Sequence, residues 1–395
     1  MCFVTAAVLT VNGGCSTMHA RPADLTIIDA TVYPGPGEAL LKRANIEISD
    51  GRIEAIYFGE PRRTNEVIDA AGRMVTVGLW NSHVHLNDPR LAASSEPLLR
   101  HMFLRYGFTT VIDTGSMLDD TLALARRIER REVAGPRIIT ANGSFVYLDG
   151  TPSYLPGITL PEITRPEQAG PMVAAVLGSG ADGIKIFSGS YQAMRDTVHL
   201  PPDIIEAICD AAHTRGSFVF SHPTDRIGLI NAVENGIDVL AHTAPQAGSF
   251  GDALVVSMRE NGVALVPTLT LWRIELLRAG LSKESALAVQ SIGVEQLGEF
   301  ARAGGEILFG TDVGFINEFD PTEELELMGR AGMSIDDVLA SMTTAPARRF
   351  KGESGRLEVG VPADLVIYEA SHFSDFRSLA RVAYTIRDGR VVFEN

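Results

Sequence analysis

Apolar residues in the first part of the chain come in short extended runs. Leu25-Thr26-Ile27-Ile28, Ile46-Glu47-Ile48 and Ile53-Glu54-Ala55-Ile56 read as strands, separated by Pro, Gly and Asp punctuation between Leu25 and Trp80. Asp50-Gly51 predicts a tight hairpin turn, since this pair readily supplies the positive-φ residues such a turn needs. The device returns near the other end as Asp388-Gly389, after the β-rich stretch Ala363-Asp364-Leu365-Val366-Ile367-Tyr368. Two similar β segments thus flank a long middle region of different texture. The economical interpretation is one small β-domain assembled from both termini, because two unrelated hairpins would leave several edge strands exposed.

The middle region, residues 76–351, alternates. Strand-like runs recur at Thr109–Ile112, Arg137–Thr140, Gly183–Phe187, Ser217–Ser221, Val239–Ala241, Ala264–Pro267 and Ile307–Gly310, with a further strand leading into His83. Amphipathic stretches lie between them. Ile204, Ile205, Ile208, Ala211 and Ala212 fit one buried helix face, and Leu254, Val255 and Met258 fit another. Eight strands, each followed by room for a helix, predict an α/β fold whose parallel sheet closes into a (β/α)8 TIM barrel.

Composition adds limits rather than an activity. The 395 residues accommodate a barrel of about 250 residues plus a substantial addition. A net charge of -15 argues against a nucleic-acid partner, which would want a basic footprint. Cys2, Cys15 and Cys209 are too few and too scattered for a disulfide framework or a CxxC metal site, and Cys209 reads as a buried core thiol. Residues 1–22 read either as an export signal or as an unordered start. Phe3–Val11 is an apolar run too short to span a bilayer, and Gly14-Cys15-Ser16 resembles a lipoprotein cleavage site, although Asn12 departs from that pattern. Membrane attachment would therefore require a lipid on Cys15, and both the cytoplasm and export stay open as locations.

A barrel gathers its chemistry at the C-terminal ends of its strands. Strand 1 ends in His83 and His85, two apart and so on one side. Strand 5 ends Phe220-Ser221-His222, strand 6 ends Leu240-Ala241-His242, and strand 8 ends Gly310-Thr311-Asp312. Four of the nine histidines thus fall at equivalent places in three β/α units, and imidazole and carboxylate are the ligands a zinc-like ion takes. His101 and His213 lie in helical stretches, His19 and His372 in irregular ones, and His199 in the loop after strand 4. Lys185 is set within the apolar run Gly-Ile-Lys-Ile-Phe, where a charged amine is costly to bury. It either snorkels to water or a carboxylate, or takes up CO2 as a neutral amine; the resulting carbamate would bridge two metal ions.

His83-x-His85, Lys185, His222, His242 and Asp312, in this order and at these strand ends, resemble the amidohydrolase superfamily with a binuclear centre. Val77-Gly78-Leu79-Trp80-Asn81-Ser82 and Gly360-Val361-Pro362-Ala363-Asp364-Leu365 extend the likeness over essentially the whole chain beyond its first residues. The resemblance implies a (β/α)8 barrel over 76–351 and a β-sandwich built from 23–75 and 352–395. It implies that His83, His85 and Asp312 hold one divalent ion, expected to be zinc, that His222 and His242 hold a second, and that carbamylated Lys185 bridges them. The implied reaction is attack by a metal-bridged hydroxide, with Asp312 moving the proton to the leaving nitrogen.

Deaminases of the superfamily lack the bridging lysine and carry a glutamate soon after the strand 5 histidine, whereas this chain has Lys185 and reads His222-Pro223-Thr224-Asp225. Deamination is disfavoured, and phosphotriesterase- or lactonase-like ester hydrolysis stays open. Gly183-Ile184-Lys185-Ile186-Phe187 and Ala241-His242-Thr243-Ala244-Pro245 are similar to the subgroup of Xaa-Pro dipeptidases and imidazolonepropionase-like proteins. The expectation is cleavage of an amide or peptide bond in a small substrate such as a dipeptide or N-acyl amino acid. Tyr147, Tyr191 and Trp272 lie in or beyond barrel-mouth loops, and Tyr147 and Tyr191 are the expected substrate contacts. Self-association is left open.

Overall fold

The computed structural model describes residues 22–93, 95–193 and 196–395. Cys2, Cys15, His19 and the lipid-anchor expectation lie outside the described residues. Among the described residues no helix is long and apolar enough to cross a membrane.

The chain opens with β1 (Ala23–Val32), β2 (Leu41–Ser49), β3 (Arg52–Phe58), β4 (Thr64–Asp69) and β5 (Met74–Val77). Asp50 and Gly51 hold φ of 49° and 75°, and the hairpin they turn pairs Ser49 with Arg52. A parallel set follows: β6 (Leu79–Val84), β7 (Phe108–Thr114), β8 (Arg137–Phe145) and β9 (Gly183–Phe187). A two-stranded ribbon, β10 (Gly189–Ser190) and β11 (Val198–His199), precedes β12 (Phe218–His222), β13 (Val239–Ala241) and β14 (Ala264–Val266). The chain closes with β15 (Leu365–Tyr368), β16 (Val382–Arg387) and β17 (Arg390–Glu394), the last two joined through Asp388 and Gly389 at φ 46° and 72°.

Both termini build one sheet, ordered β17-β16-β15-β5-β1-β2-β3, with β4 pairing the first half of β1 where β5 takes the second. Alternate residues bury a shared core: Leu25 and Ile27, Ile46 and Ile48, Val75 and Val77, Leu365 and Ile367. Strand β5 pairs with β15 as far as Val77, so the expected boundary at residue 75 falls inside this strand. Residues Asp364 and Gly78 then hand the chain over, the amide of Gly78 donating to the Asp364 carbonyl at 2.7 Å.

The parallel sheet runs β14-β13-β12-β9-β8-β7-β6, and its interior is filled by Ile112, Ala141, Phe220, Val239, Ala241, Val266 and Leu308. Its helices bury the expected faces. Pro202–His213 buries Ile204, Ile205, Ile208 and Ala212, with Ala211 half-buried, and Gly251–Glu260 buries Leu254, Val255 and Met258.

The eighth barrel segment differs from the regular strand expected at Ile307–Gly310. It bridges rather than ladders. The Leu308 amide donates to the Leu265 carbonyl on one side at 2.9 Å, while Phe309 and Val313 accept from Ser82 and His85 on the other at 2.7 and 2.8 Å. The barrel is thereby closed. A Cβ on Gly310 would stand 2.3 Å from Val266 and 2.9 Å from His83, so only glycine lets this backbone pass between its neighbours.

Candidate metal centre

At the C-terminal end of the barrel the six residues singled out from the sequence converge. Oδ1 of Asp312 lies 3.3 Å from Nε2 of His83 and 3.1 Å from Nε2 of His85. The His83 ring is centred 4.5 Å from that of His242, and His242 is 4.8 Å from His222. Ligand atoms of His83, His242 and Asp312 all fall within 4.8 Å of one another. Lys185 lies in β9 beside β12, which ends in His222, and is 2% exposed. Its ammonium makes no ion pair among the described residues; the aromatic contact it has is with Phe187, at 5.9 Å from the ring centroid.

Asn81 latches the two ends of the barrel together beneath this cluster. Its carbonyl oxygen accepts from the amides of His83 and Thr311 at 3.3 and 3.2 Å, and its amide donates to the Thr311 hydroxyl at 2.8 Å. His242 and Asp312 hold φ of 70° and 60°, and Thr268 after β14 holds 44°. Non-glycine residues in the left-handed region cost about 1–3 kcal/mol each and persist where their surroundings over-determine them.

The electrostatics suit cation binding. Burial first, then the cationic Lys185, lowers His83 and His222 to about 3, and burial with the neighbouring His83 holds His242 well below its ordinary value. These rings are neutral at pH 7 and offer lone pairs. Burial pulls Asp312 upward, but the surrounding imidazoles of His83, His85 and His242 hold its carboxyl well below the usual range, so it is ionised. Burial also lowers Lys185 from 10.5 to about 8. Both nitrogens of His83 and Oδ1 of Asp312 are buried without a hydrogen bond among the described residues. Orphaned buried imidazole and carboxylate atoms aimed at one point are the donor set a divalent ion satisfies.

The Amidohydrolase family model matches residues 74–392. The chain belongs to the amidohydrolase family. The fold is similar to that of a Xaa-Pro dipeptidase, with a TM-score of 0.82 at 22% identity over 94% of this chain and 100% of that one. A putative prolidase from Bifidobacterium longum matches with a TM-score of 0.79 at 27% identity, covering 94% of this chain and 95% of the other. Among curated proteins, a dihydroorotase from Syntrophotalea carbinolica is 21% identical over 91% of this chain and 96% of its own.

Around the clustered residues of this amidohydrolase lies a layer that the sequence did not disclose. Nδ1 of His242 meets the Thr268 hydroxyl at 2.7 Å, leaving Nε2 to face the cluster. The Trp272 indole donates to the Thr243 hydroxyl at 2.8 Å, so this aromatic braces the loop carrying His242. The Asp113 carboxyl, pushed up by burial, accepts from the hydroxyls of Ser116 and Thr121, and Ser116 in turn accepts from the amide of Leu86 at 2.7 Å, one residue beyond His85. Asp113 sits at the end of β7, and a search of every strand end for carboxylates would have found it.

Aromatic rings collar the cluster. Tyr154 stands 6.4 Å from His222 and 5.7 Å from Phe315, which is 6.2 Å from His85, and Phe187 is 5.1 Å from His222. Tyr147 is half-buried against the main core and Tyr191 is 42% exposed; among the described residues neither has a ring contact with these histidines. His199 pairs with Asp225 at 2.8 Å, and His213 pairs with Asp238 at 2.9 Å, at the opposite end of the barrel. A cavity of about 870 Å³ at the opposite end of the barrel, floored by Trp80, Phe218 and Phe350, contains none of the six residues.

Proposed function

We propose that this amidohydrolase cleaves the C–N bond of a small amide, a dipeptide or N-acyl amino acid, at a centre of two divalent ions. One observation carries the reading: an ionised, buried Asp312 faces His83 and His85 at the end of the barrel where Lys185, buried and without an ion pair among the described residues, also lies. His83, His85 and Asp312 would hold one ion, expected to be zinc, and His222 and His242 the other, with a carbamate on Lys185 between them. Bound ions supply Lewis acidity and bring the pKa of water down towards ~7.

The chain's own residues do the rest. Asp312, held as a carboxylate, accepts a proton from the attacking water and returns it to the leaving nitrogen, which would otherwise depart as an unstable anion. Tyr154, Phe315 and Phe187 line the approach and favour an apolar group next to the scissile bond. Tyr147 and Tyr191 are then contacts of the outer rim. The likeness to a putative prolidase at 27% identity supports linear dipeptides, including those with proline, as the first substrates to try. The run His222-Pro223-Thr224-Asp225, without a glutamate, supports hydrolysis over deamination.

A hydrolysis screen tests this reading. Purified enzyme loaded with zinc and bicarbonate should cleave members of a panel of dipeptides and N-acyl amino acids faster than lactams, cyclic ureides or phosphotriesters. Turnover of phosphotriesters alone would replace the amide assignment with ester hydrolysis.

A further inference from the structure

The loop carrying His242 is held from a direction remote from the metal cluster. Glu324, on the helix Thr322–Arg330, is 1% exposed, and its two carboxylate oxygens accept separately from the amides of Leu269 and Thr270 at 2.7 and 2.8 Å. These are the first residues of the ten-residue helix Leu269–Arg278, whose preceding residue, Thr268, makes no side-chain cap of its own. The carboxylate therefore caps that helix from another element, and the helix N-terminus helps to hold its charge. The Thr268 hydroxyl instead meets Nδ1 of His242, and its backbone holds φ 44°, a conformation that a β-branched residue rarely adopts.

We infer that Glu324 is a positioning residue for His242: by fixing the amides of Leu269 and Thr270 it holds Thr268 in its left-handed turn, and Thr268 sets the ring of His242. The inference rests on the reading of His242 as a metal ligand. Among the described residues Glu324 is the side chain that accepts from these two amides, while Gln290 donates to the Leu269 carbonyl at 3.3 Å. Trp272 and Gln296 brace Thr243 and Ala244, one and two residues further along, and leave the Thr268 turn untouched. The neighbouring Glu323 binds Arg273 and Gln290 and does not reach the amides of Leu269 or Thr270. Burial raises Glu324 to about 7, which agrees with a carboxyl kept inside for what it holds rather than for ion pairing.

The test measures zinc retention by full-length enzyme dialysed against a graded chelator, with the absorption spectrum of the cobalt-loaded form and the melting temperature of the metal-free form read in parallel. Glu324→Gln places an amide donor against an amide donor, and should lower the affinity for one of the two ions by roughly 10- to 100-fold, with an altered cobalt spectrum. Thr268→Val, which leaves the buried carboxyl in place, should show the same loss. Glu326→Gln, on the same helix but bound to Arg377, should bind as the wild type does. Wild-type affinity in Glu324→Gln, with only its melting temperature lowered, would make Glu324 a purely structural cap and overturn the inference. An equal loss in Glu326→Gln would assign the effect to general loosening of the helix and overturn it as well. A wild-type chain that retains no ion would instead remove the metal-centre reading, and the inference with it.

Discussion

Oδ1 of Asp312 meets Nε2 of His85 at 3.1 Å, although the two residues belong to the opposite edges of the seam that closes the barrel. The seam itself brings them together, since the amide of His85 donates to the carbonyl of Val313 and the amide of Asp312 to that of His83. A single carboxylate is thus placed against both histidines, where the proposed reaction needs it. Replacing it by Asn81-like neutral chemistry, Asp312→Asn, keeps the shape and removes the base. Hydrolysis should fall by roughly 10²–10⁴-fold while at least one ion per chain is retained. Steady-state kinetics with metal analysis on the same sample decide it; full activity would remove Asp312 from the proton transfer.

The seam leaves no room for a side chain at Gly314. Its φ is 101°, and a Cβ there would stand 1.8 Å from the carbonyl oxygen of His85, a backbone atom that cannot step aside. Gly314→Ala should displace His85, lower the melting temperature and reduce metal retention together. A variant that melts and binds as the wild type does would show that the seam is more pliable than its packing indicates.

Tyr154 gives a way to separate an apolar wall from a hydrogen-bonding one. Burial raises its phenol above the ordinary value, so it is neutral throughout the working range and cannot serve as an anion. Tyr154→Phe should keep kcat/KM near that of the wild type. Tyr154→Ala, which removes a ring contact worth about 0.5–1.5 kcal/mol, should lower it by up to roughly tenfold, mostly through KM. A large loss of kcat in Tyr154→Phe would instead place the hydroxyl on the substrate.

Acid should undo the site in a defined direction. His83 and His222 have pKa values lowered from 6.5 to about 3, so the unfolded chain takes up their protons before the folded chain does. The stability they contribute is complete above 6.5 and is lost progressively as pH falls towards 3. Melting of the metal-free protein should therefore decline below pH 6.5, and His222→Asn should lose part of that decline. An unchanged pH profile in that variant would deny His222 its buried neutral state.

The cluster was legible in the sequence because strand ends in a barrel are equivalent places, and His83, His85, His222, His242 and Asp312 each follow an apolar run that marks one. The terminal sheet was legible for a similar reason: two Asp-Gly turns, at Asp50 and Asp388, each join short alternating strands. The eighth strand was less so. Residues 307–313 are apolar enough to read as a strand, yet the close passage at Gly310 and the left-handed Asp312 break its ladder. Glu324, Thr268 and Tyr154 were invisible because their roles depend on which loop meets which helix across the barrel mouth, and residue spacing carries no record of that. Trp272 was noticed for its ring, whereas its indole N–H is what the fold uses.

Lys185 supports the prediction that most directly separates a bridged two-ion centre from a simpler one. The residue is 2% exposed with no ion pair among the described residues, and burial lowers its amine from 10.5 to about 8. The cost of that burial depends on pH: the stability Lys185 contributes is complete above 10.5 and is lost as pH falls through about 8, because the unfolded chain holds the proton more tightly. A carbamate forms when the neutral amine attacks CO2 and releases a proton, so its formation should quicken as pH rises from neutrality through about 8 and then level off. Metal-free enzyme resupplied with zinc should accordingly regain activity slowly in buffer stripped of bicarbonate and faster when it is added, with that pH profile. Enzyme treated with 13C-bicarbonate should show a carbamate carbon resonance that Lys185→Ala lacks, and this variant should lose both the bicarbonate dependence and the second ion. The imidazoles of His83, His222 and His242, now lowered in part by the Lys185 cation, would then face an anion instead, which strengthens their hold on a metal. Recovery that is indifferent to bicarbonate, with no 13C signal and two ions still bound, would require a bridge other than Lys185.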